Sequence, residues 1–290
     1  MICGIGAEFD NVVTSLLEGM LGILNNPTKV TGYLSLDGSE SIFHGLWDGS
    51  IFTTTSDILN VTYKLCQSIG IMLVVLFFLL DLLDKTAQGD MTLEKMIPSF
   101  IKFGIGAFFV LQTRDFYLTF IKFGDAFLSE TASIAEGNAN MVQFGDILDG
   151  QTTSGKLLTA ILCIFPWLVG QVCTLLIYFT AISRGIEIAL RFSFIPMAVA
   201  DVYGQGTNSN GFRYLKKFVA LCLQGGAILI LLSLTNAIFV TSFGTMPDAA
   251  ELSNVFSIIG FAITTILPIE CAMTGLVLRS QQIINDVLGV

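Results

Sequence analysis

Charge is scarce in this chain. Only 13% of its 290 residues are Asp, Glu, Lys or Arg, while 53% are hydrophobic, and the mean hydropathy is +0.76. Soluble domains carry about 25% charged residues. The deficit is concentrated in long apolar runs, so the class is all-α, a polytopic helical membrane protein. Histidine is nearly missing: His44 stands alone, which excludes a zinc site of histidines and a histidine proton relay. No GxSxG occurs. Basic residues are outnumbered, and the net charge of −9 argues against a nucleic-acid-coating surface. The six cysteines, at 3, 66, 163, 173, 222 and 271, include no CxxC pair. Five lie in or beside apolar runs and read as small apolar side chains in helices. The opening MICGIGAEFD has acids and no basic stretch, so no cleavable signal is expected.

What is present is a series of apolar runs long enough to cross hydrocarbon, which takes about 20 residues. Spans are expected at about 60–83, 96–112, 157–181, 215–240 and 255–277. Residues 1–57 form an N-terminal amphipathic and interfacial segment, and 58–290 the transmembrane domain. Within the former, 9–24 place Val12, Leu16, Leu17, Met20, Leu21 and Leu24 at helical spacing, opposite Asn11, Ser15 and Glu18. That helix is too short and polar to span, and Asn25-Asn26-Pro27 ends it. Its polar face lacks the Lys and Arg of a lipid-surface helix, which favours packing on a partner. Pro98 is placed in the first turn of the second span, where a missing N–H is harmless. Residues 113–155 form an extracytoplasmic segment that begins as an amphipathic surface helix. Pro166 with Gly170 is expected to kink the third span.

The distribution of positive charge sets orientation. Residues 123–155 and 242–253 carry acids and no Lys or Arg, and should face out. Lys85, Lys95, Arg184, Arg191, Arg213, Lys216, Lys217 and Arg279 then all face in, with the N-terminus outside and the C-terminus inside. This solution needs residues 184–202 to form a kinked helix on the cytoplasmic side without crossing. A competing solution lets 185–202 cross as a sixth span and strands Lys216 and Lys217 outside, unless 114–130 also crosses.

Few residues suggest chemistry. Arg184, Glu187 and Arg191 stand at i, i+3 and i+7, on one helix face where Glu187 can pair with both arginines. Either they line a docking surface near the cytoplasmic face, or they salt the polar side of a helix lying on the membrane. Pro196 ends or bends that helix, and GQGTNSNG at 204–211 is a loop by composition. Arg213, Lys216 and Lys217 anchor the fourth span at the inner leaflet, a reading favoured over contact with DNA phosphates because so few cations release few counterions. Gln224-Gly225-Gly226 suits close helix packing. Glu270, two residues after Pro268, needs a partner or a wet cavity and is the best candidate for a conduit-lining or inter-helix contact. GQTTSGKL at 150–157 matches a phosphate-binding loop for seven places and fails the eighth, where Leu157 replaces the magnesium-holding Ser or Thr. No catalytic set, cofactor or metal is expected.

The ordered pattern Arg184-x-x-Glu187, Phe194-Ile195-Pro196-Met197-Ala198, a Gly/Asn loop, Tyr214-Leu215-Lys216-Lys217 and Ala220-Leu221-x-x-Gln224-Gly225 resembles the TrbL family. These are polytopic channel subunits of type IV secretion and conjugation, and the likeness is to the short forms of Gram-positive conjugative elements. It covers about residues 60–280. The resemblance implies a non-catalytic platform that homo-oligomerises in the cytoplasmic membrane and meets transfer ATPases and cell-wall-facing subunits. It also implies a role in passing single-stranded DNA with its relaxase, or effector proteins. A small-solute secondary transporter is the competing expectation, although no internal repeat relates 60–112 to 215–277.

Overall fold

In the computed structural model the described residues are Val12, Ser15, Leu16, Gly19, 22–23, 27–36, Phe43, 53–87, 93–137, 153–205, 209–244, Gly260 and 262–289. Nearly all of them are helical and none lies in a strand. A 3-10 turn at Pro27–Val30 leads into the single helical turn α1 (Thr31–Leu34). The long helices follow: α2 (Thr53–Ala87), α3 (Leu93–Gly137), α4 (Thr153–Gln205) and α5 (Asn210–Gly244). A π-helical turn, Ala262–Ile266, opens directly into α6 (Leu267–Leu288).

Five of these helices are long and apolar enough to cross a membrane: Ile58–Ala87, Met96–Ala135, Ile161–Val202, Asn210–Thr241 and Ile263–Leu288. The protein is therefore a polytopic helical membrane protein with five candidate spans. Each expected span overlaps one of them, although residues 255–259 and 261 of the fifth lie outside the described residues. Their outward faces carry exposed large apolar side chains such as Met72, Leu83, Phe108, Phe165, Leu175 and Phe179, which hydrocarbon would cover.

The helices overrun the expected spans. Residues 113–137 continue the second span as the same helix rather than beginning a separate surface element. Residues 184–202 likewise are not a separate helix, because α4 runs unbroken from Thr153 to Gln205. At 42 residues the candidate span in α4 is about 63 Å long by helical rise, roughly twice the hydrocarbon thickness. Neither Arg184 nor Pro196 ends it. A proline removes one backbone hydrogen bond, and flanking turns packed on neighbours can absorb that loss. Pro98 sits at the sixth residue of α3, not in a first turn, so it removes the bond that would reach the Glu94 carbonyl. Most of the expected amphipathic helix at 9–24 lies outside the described residues; Val12, Ser15, Leu16 and Gly19 within it are helical. The turns and aromatics expected between 37 and 52 lie outside as well, except Phe43, as do residues 138–152 and 245–259.

The chain forms two compact units, with α3 to α6 each contributing to both. The first comprises Met1–Leu34, Leu128–Ile182 and Gly226–Ser280. Its core is Ile177 and Ala181 of α4, Ile228, Leu229 and Leu232 of α5, and Met273 and Val277 of α6, with Val30 and Leu34 from the N-terminal turns. Gln171 of α4 donates to the Gly19 carbonyl at 2.8 Å, fastening the N-terminal segment there. The second unit comprises Ser35–Phe127, Ser183–Gly225 and Gln281–Val290. Tyr117, Ile121, Ile188, Phe192, Phe218 and Leu221 fill its centre, with Tyr117 edge-on to Phe218 at 5.1 Å.

Burial ranks the helices. Buried residues make up 61% of the most apolar window of α5, against 17% in α2 and in α3. The helix introduced by the Arg213–Lys217 cluster is thus the one most enclosed by protein. Where α2 turns into α3, Ser99 Oγ donates to Asp81, while Lys85 pairs with Asp81 at 3.3 Å and donates to Ser99. Ser99 is buried, while the Asp81–Lys85 pair it joins is about one-third exposed. Ser99→Ala is expected to cost about 1 kcal/mol in a thermal melt, because a charge-linked hydroxyl is lost while water can still reach the pair.

Candidate functional site

Four of the five residues singled out from the sequence as conduit or interface candidates lie in the second unit, and the chain brings them to two adjacent levels of the α4–α5 contact. Arg184 is 3% exposed. Its Nε donates to the Leu221 carbonyl at 2.9 Å and its Nη2 to the Cys222 carbonyl at 3.0 Å. A guanidinium carries five N–H donors in a planar fork, so one side chain can address two successive carbonyls of a neighbouring helix. Gly225 makes room for it, since a Cβ built there would lie 2.5 Å from Arg184 Nη1. Gln224, beside it, is 3% exposed.

A carboxylate completes this level. Asp125 of α3 exerts an electrostatic attraction on Arg184, and its Oδ1 also accepts the Leu36 N–H at 2.8 Å. The preceding residue, Gly124, lets α3 touch α5 backbone to backbone: a Cβ there would meet the Cys222 oxygen at 2.6 Å. One buried cation thus joins three helices and the segment leading out of α1. An arginine left without such partners in a water-poor interior would cost several kcal/mol.

Two turns along α4 the arrangement opens. Arg191 Nε and Nη2 donate to Glu187 Oε1 at 2.9 and 2.5 Å, and the pair is about one-quarter to one-third exposed. Gln281 of α6 reaches the same oxygen at 3.4 Å. The Tyr214 hydroxyl donates to the Arg191 carbonyl at 2.8 Å, tying the first turns of α5 to α4. Ser209 caps α5, its Oγ accepting the Phe212 N–H at 3.1 Å. Tyr214→Phe is expected to cost about 1 kcal/mol in unfolding, the net worth of one hydrogen bond.

The sequence placed the two arginines and Glu187 on one helix face. The structure separates their roles. Glu187 holds Arg191 at a half-exposed edge, whereas Arg184 turns inward to the α5 carbonyls. Of the basic cluster, Arg213 is exposed and Lys216 and Lys217 are half-buried, with the Lys216 ammonium 5.7 Å from the Phe212 ring centroid. Asp125, Gly124 and Gln281 belong to this constellation and were not singled out from the sequence. The only local signal was Gly124-Asp125 interrupting an aromatic-rich helix.

Glu270 lies apart, in the first unit. It is 3% exposed, and its Oε2 has no hydrogen-bond partner among the described residues. Thr274 bonds the Glu270 backbone carbonyl at 2.9 Å. The residues of the phosphate-loop look-alike from Thr153 to Leu157 are already helical, and the rest of it lies outside the described residues. No family model, curated protein or solved structure matches the chain.

Proposed function

We propose that the chain is a non-catalytic subunit of a membrane channel or platform of the type IV secretion and conjugation kind, helping a DNA–protein substrate cross the cytoplasmic membrane. The observation that carries this reading is where the TrbL-like residues go. Arg184, Glu187, Pro196, Tyr214, Gln224 and Gly225 were recognised as an ordered string, and in the second unit they are working parts of the helix contacts. Arg184 docks beside Gly225, Tyr214 bonds the Arg191 carbonyl, and the Pro196 carbonyl would meet a Cβ at Gly70 of α2 at 2.6 Å.

In this reading the protein sits in the cytoplasmic membrane with its N-terminus outside. It homo-oligomerises, meets transfer ATPases at the Glu187–Arg191 edge, and contacts relaxase-bound single-stranded DNA only in passing. The half-exposed Glu187–Arg191–Gln281 group suits a partner better than the buried Arg184 does, because its charges remain reachable.

A second reading, a small-solute secondary transporter, draws on one observation. The π-turn at Ala262–Ile266, with Pro268 after it, stands at the described start of a candidate span next to a buried carboxyl, and irregular helix near polar groups is a feature of transporter sites. Deleting the gene and measuring both conjugative transfer and solute uptake separates the two. The secretion reading expects transfer to collapse and uptake to persist. Unchanged transfer would remove it. With the gene restored as the Arg184/Arg191 double alanine, transfer should fall while membrane insertion, read by fractionation, survives.

A further inference from the structure

One side of α4 stays exposed along most of the helix, and that side is apolar. Ile161, Leu168 and Leu175 recur every seven residues, and Phe165, Val172, Phe179 and Ile186 recur at the same interval between them. That is the spacing of a seam between two helices. Steps of four then carry it to Leu190 and Phe194, which are 58% and 43% exposed. Ser183, exposed between Phe179 and Ile186, is its polar step, and no Lys, Arg, Asp or Glu stands on it. On the other side of the helix, Ile188, Phe192 and Ile195 are buried in the core of the second unit.

The stripe is too long for lipid alone. From Ile161 to Phe194 it runs about 50 Å by helical rise, against about 30 Å of hydrocarbon. Tilted by about 40°, the upper end for membrane helices, it would still project to about 38 Å. With the bilayer over Ile161 to Phe179, about 27 Å, the side chains of Ile186, Leu190 and Phe194 emerge into water. Inside hydrocarbon, apolar helices gain little by meeting, because acyl chains are as apolar as leucine. Outside it, apolar side chains left in water drive association. The part that overruns the bilayer is therefore the part that needs a protein cover.

A second copy of this chain fits that need. It brings the same uncharged seam, so two copies meet without like-charge repulsion, and the same spans hold both at one depth. The whole stripe offers on the order of 1,000 Å², above the roughly 800 Å² per partner of a stable interface. Glu187 and Arg191 lie beside the seam and not on it, so the charged edge stays reachable.

We propose that two copies of the chain pack α4 against α4 along this stripe, with Ile186, Leu190 and Phe194 forming the contact outside hydrocarbon. The proposal rests on the homo-oligomeric part of the functional reading above and gives it a surface.

The test uses the full chain in phosphatidylcholine–phosphatidylglycerol vesicles at a fixed protein-to-lipid ratio. Copper phenanthroline should convert Leu190→Cys into a reducible dimer joined through position 190, as peptide mass mapping reads. Met72→Cys, at a 71% exposed position on α2, should stay monomeric under the same treatment. Photobleaching of single labelled chains supplies the second readout. The double variant Leu190→Gln, Phe194→Gln should lower the dimeric fraction about tenfold without changing Tm, since both side chains are exposed. A monomeric wild-type chain would show that lipid alone covers the stripe and would overturn the proposal. Equal crosslinking at positions 190 and 72 overturns it too, as does a double variant that associates like wild type. Conjugative transfer enters none of these readouts, so their failure is distinct from failure of the secretion reading.

Discussion

Replacing Arg184 by alanine is expected to destabilise the protein by about 3–5 kcal/mol, the usual consequence of removing one member of a buried charged contact. The guanidinium is 3% exposed and spans two α5 carbonyls at 2.9 and 3.0 Å. Its loss leaves a cavity beside Gly225 and takes away the cation that attracts Asp125. Arg184→Lys should recover only part of the loss. An ammonium is a compact point charge and cannot lay a planar fork across successive carbonyls. Unfolding of the detergent-purified protein measures both. An alanine variant within 1 kcal/mol of wild type would mean that the buried cation contributes little beyond its own desolvation cost.

The second large effect is expected at Gly124. A leucine there forces a Cβ to 2.6 Å from the Cys222 oxygen and 3.1 Å from the carbonyl carbon behind it. Both obstacles are backbone and cannot rotate away, so α3 and α5 must part. Overpacking of this kind costs about 1–3 kcal/mol, and separation of the Asp125 level from Arg184 adds to it. Gly104 of α3 supplies the control, because a Cβ at that position meets nothing within 4 Å. Gly104→Ala should be neutral or stabilising by about 0.5–1 kcal/mol, through the lower conformational entropy of alanine. Comparable losses at both glycines would show that helix propensity, not close approach, governs α3.

These two positions mark what the sequence made legible and what it did not. Five helices were readable because hydrocarbon-length apolar runs have few other uses. Their lengths were not. Hydropathy windows stop at Arg114 and at Arg184, where charge enters, but a helix ends where its backbone bonds end, and charge alone does not end them. Pro196 does not end α4 for the same reason: it removes one bond of a helix that has many. The spacing of Arg184, Glu187 and Arg191 correctly put them on one side of α4. It was silent on which neighbour each would meet. Arg184 faces a glycine and can enter the contact, whereas Arg191 lies where Glu187, Tyr214 and Gln281 converge at an edge. That difference is set by α5 and α6, from residues up to about 90 positions away, as the separation of 94 between Glu187 and Gln281 illustrates. Glu270 was legible as a buried acid, but that its Oε2 meets no hydrogen-bond partner among the described residues could be seen only once the helices around it were placed.

Five candidate spans, with Lys and Arg gathered on one side, predict five crossings and an N-terminus outside. An odd number of crossings puts the termini on opposite sides, which reporters at both ends of the full chain can read. An N-terminal epitope should bind antibody on intact cells stripped of their wall. A C-terminal fluorescent protein should mature in the cytoplasm and resist external protease. Both termini on one side would contradict five crossings, and opposite sides with the N-terminus inside would contradict the orientation drawn from Lys and Arg.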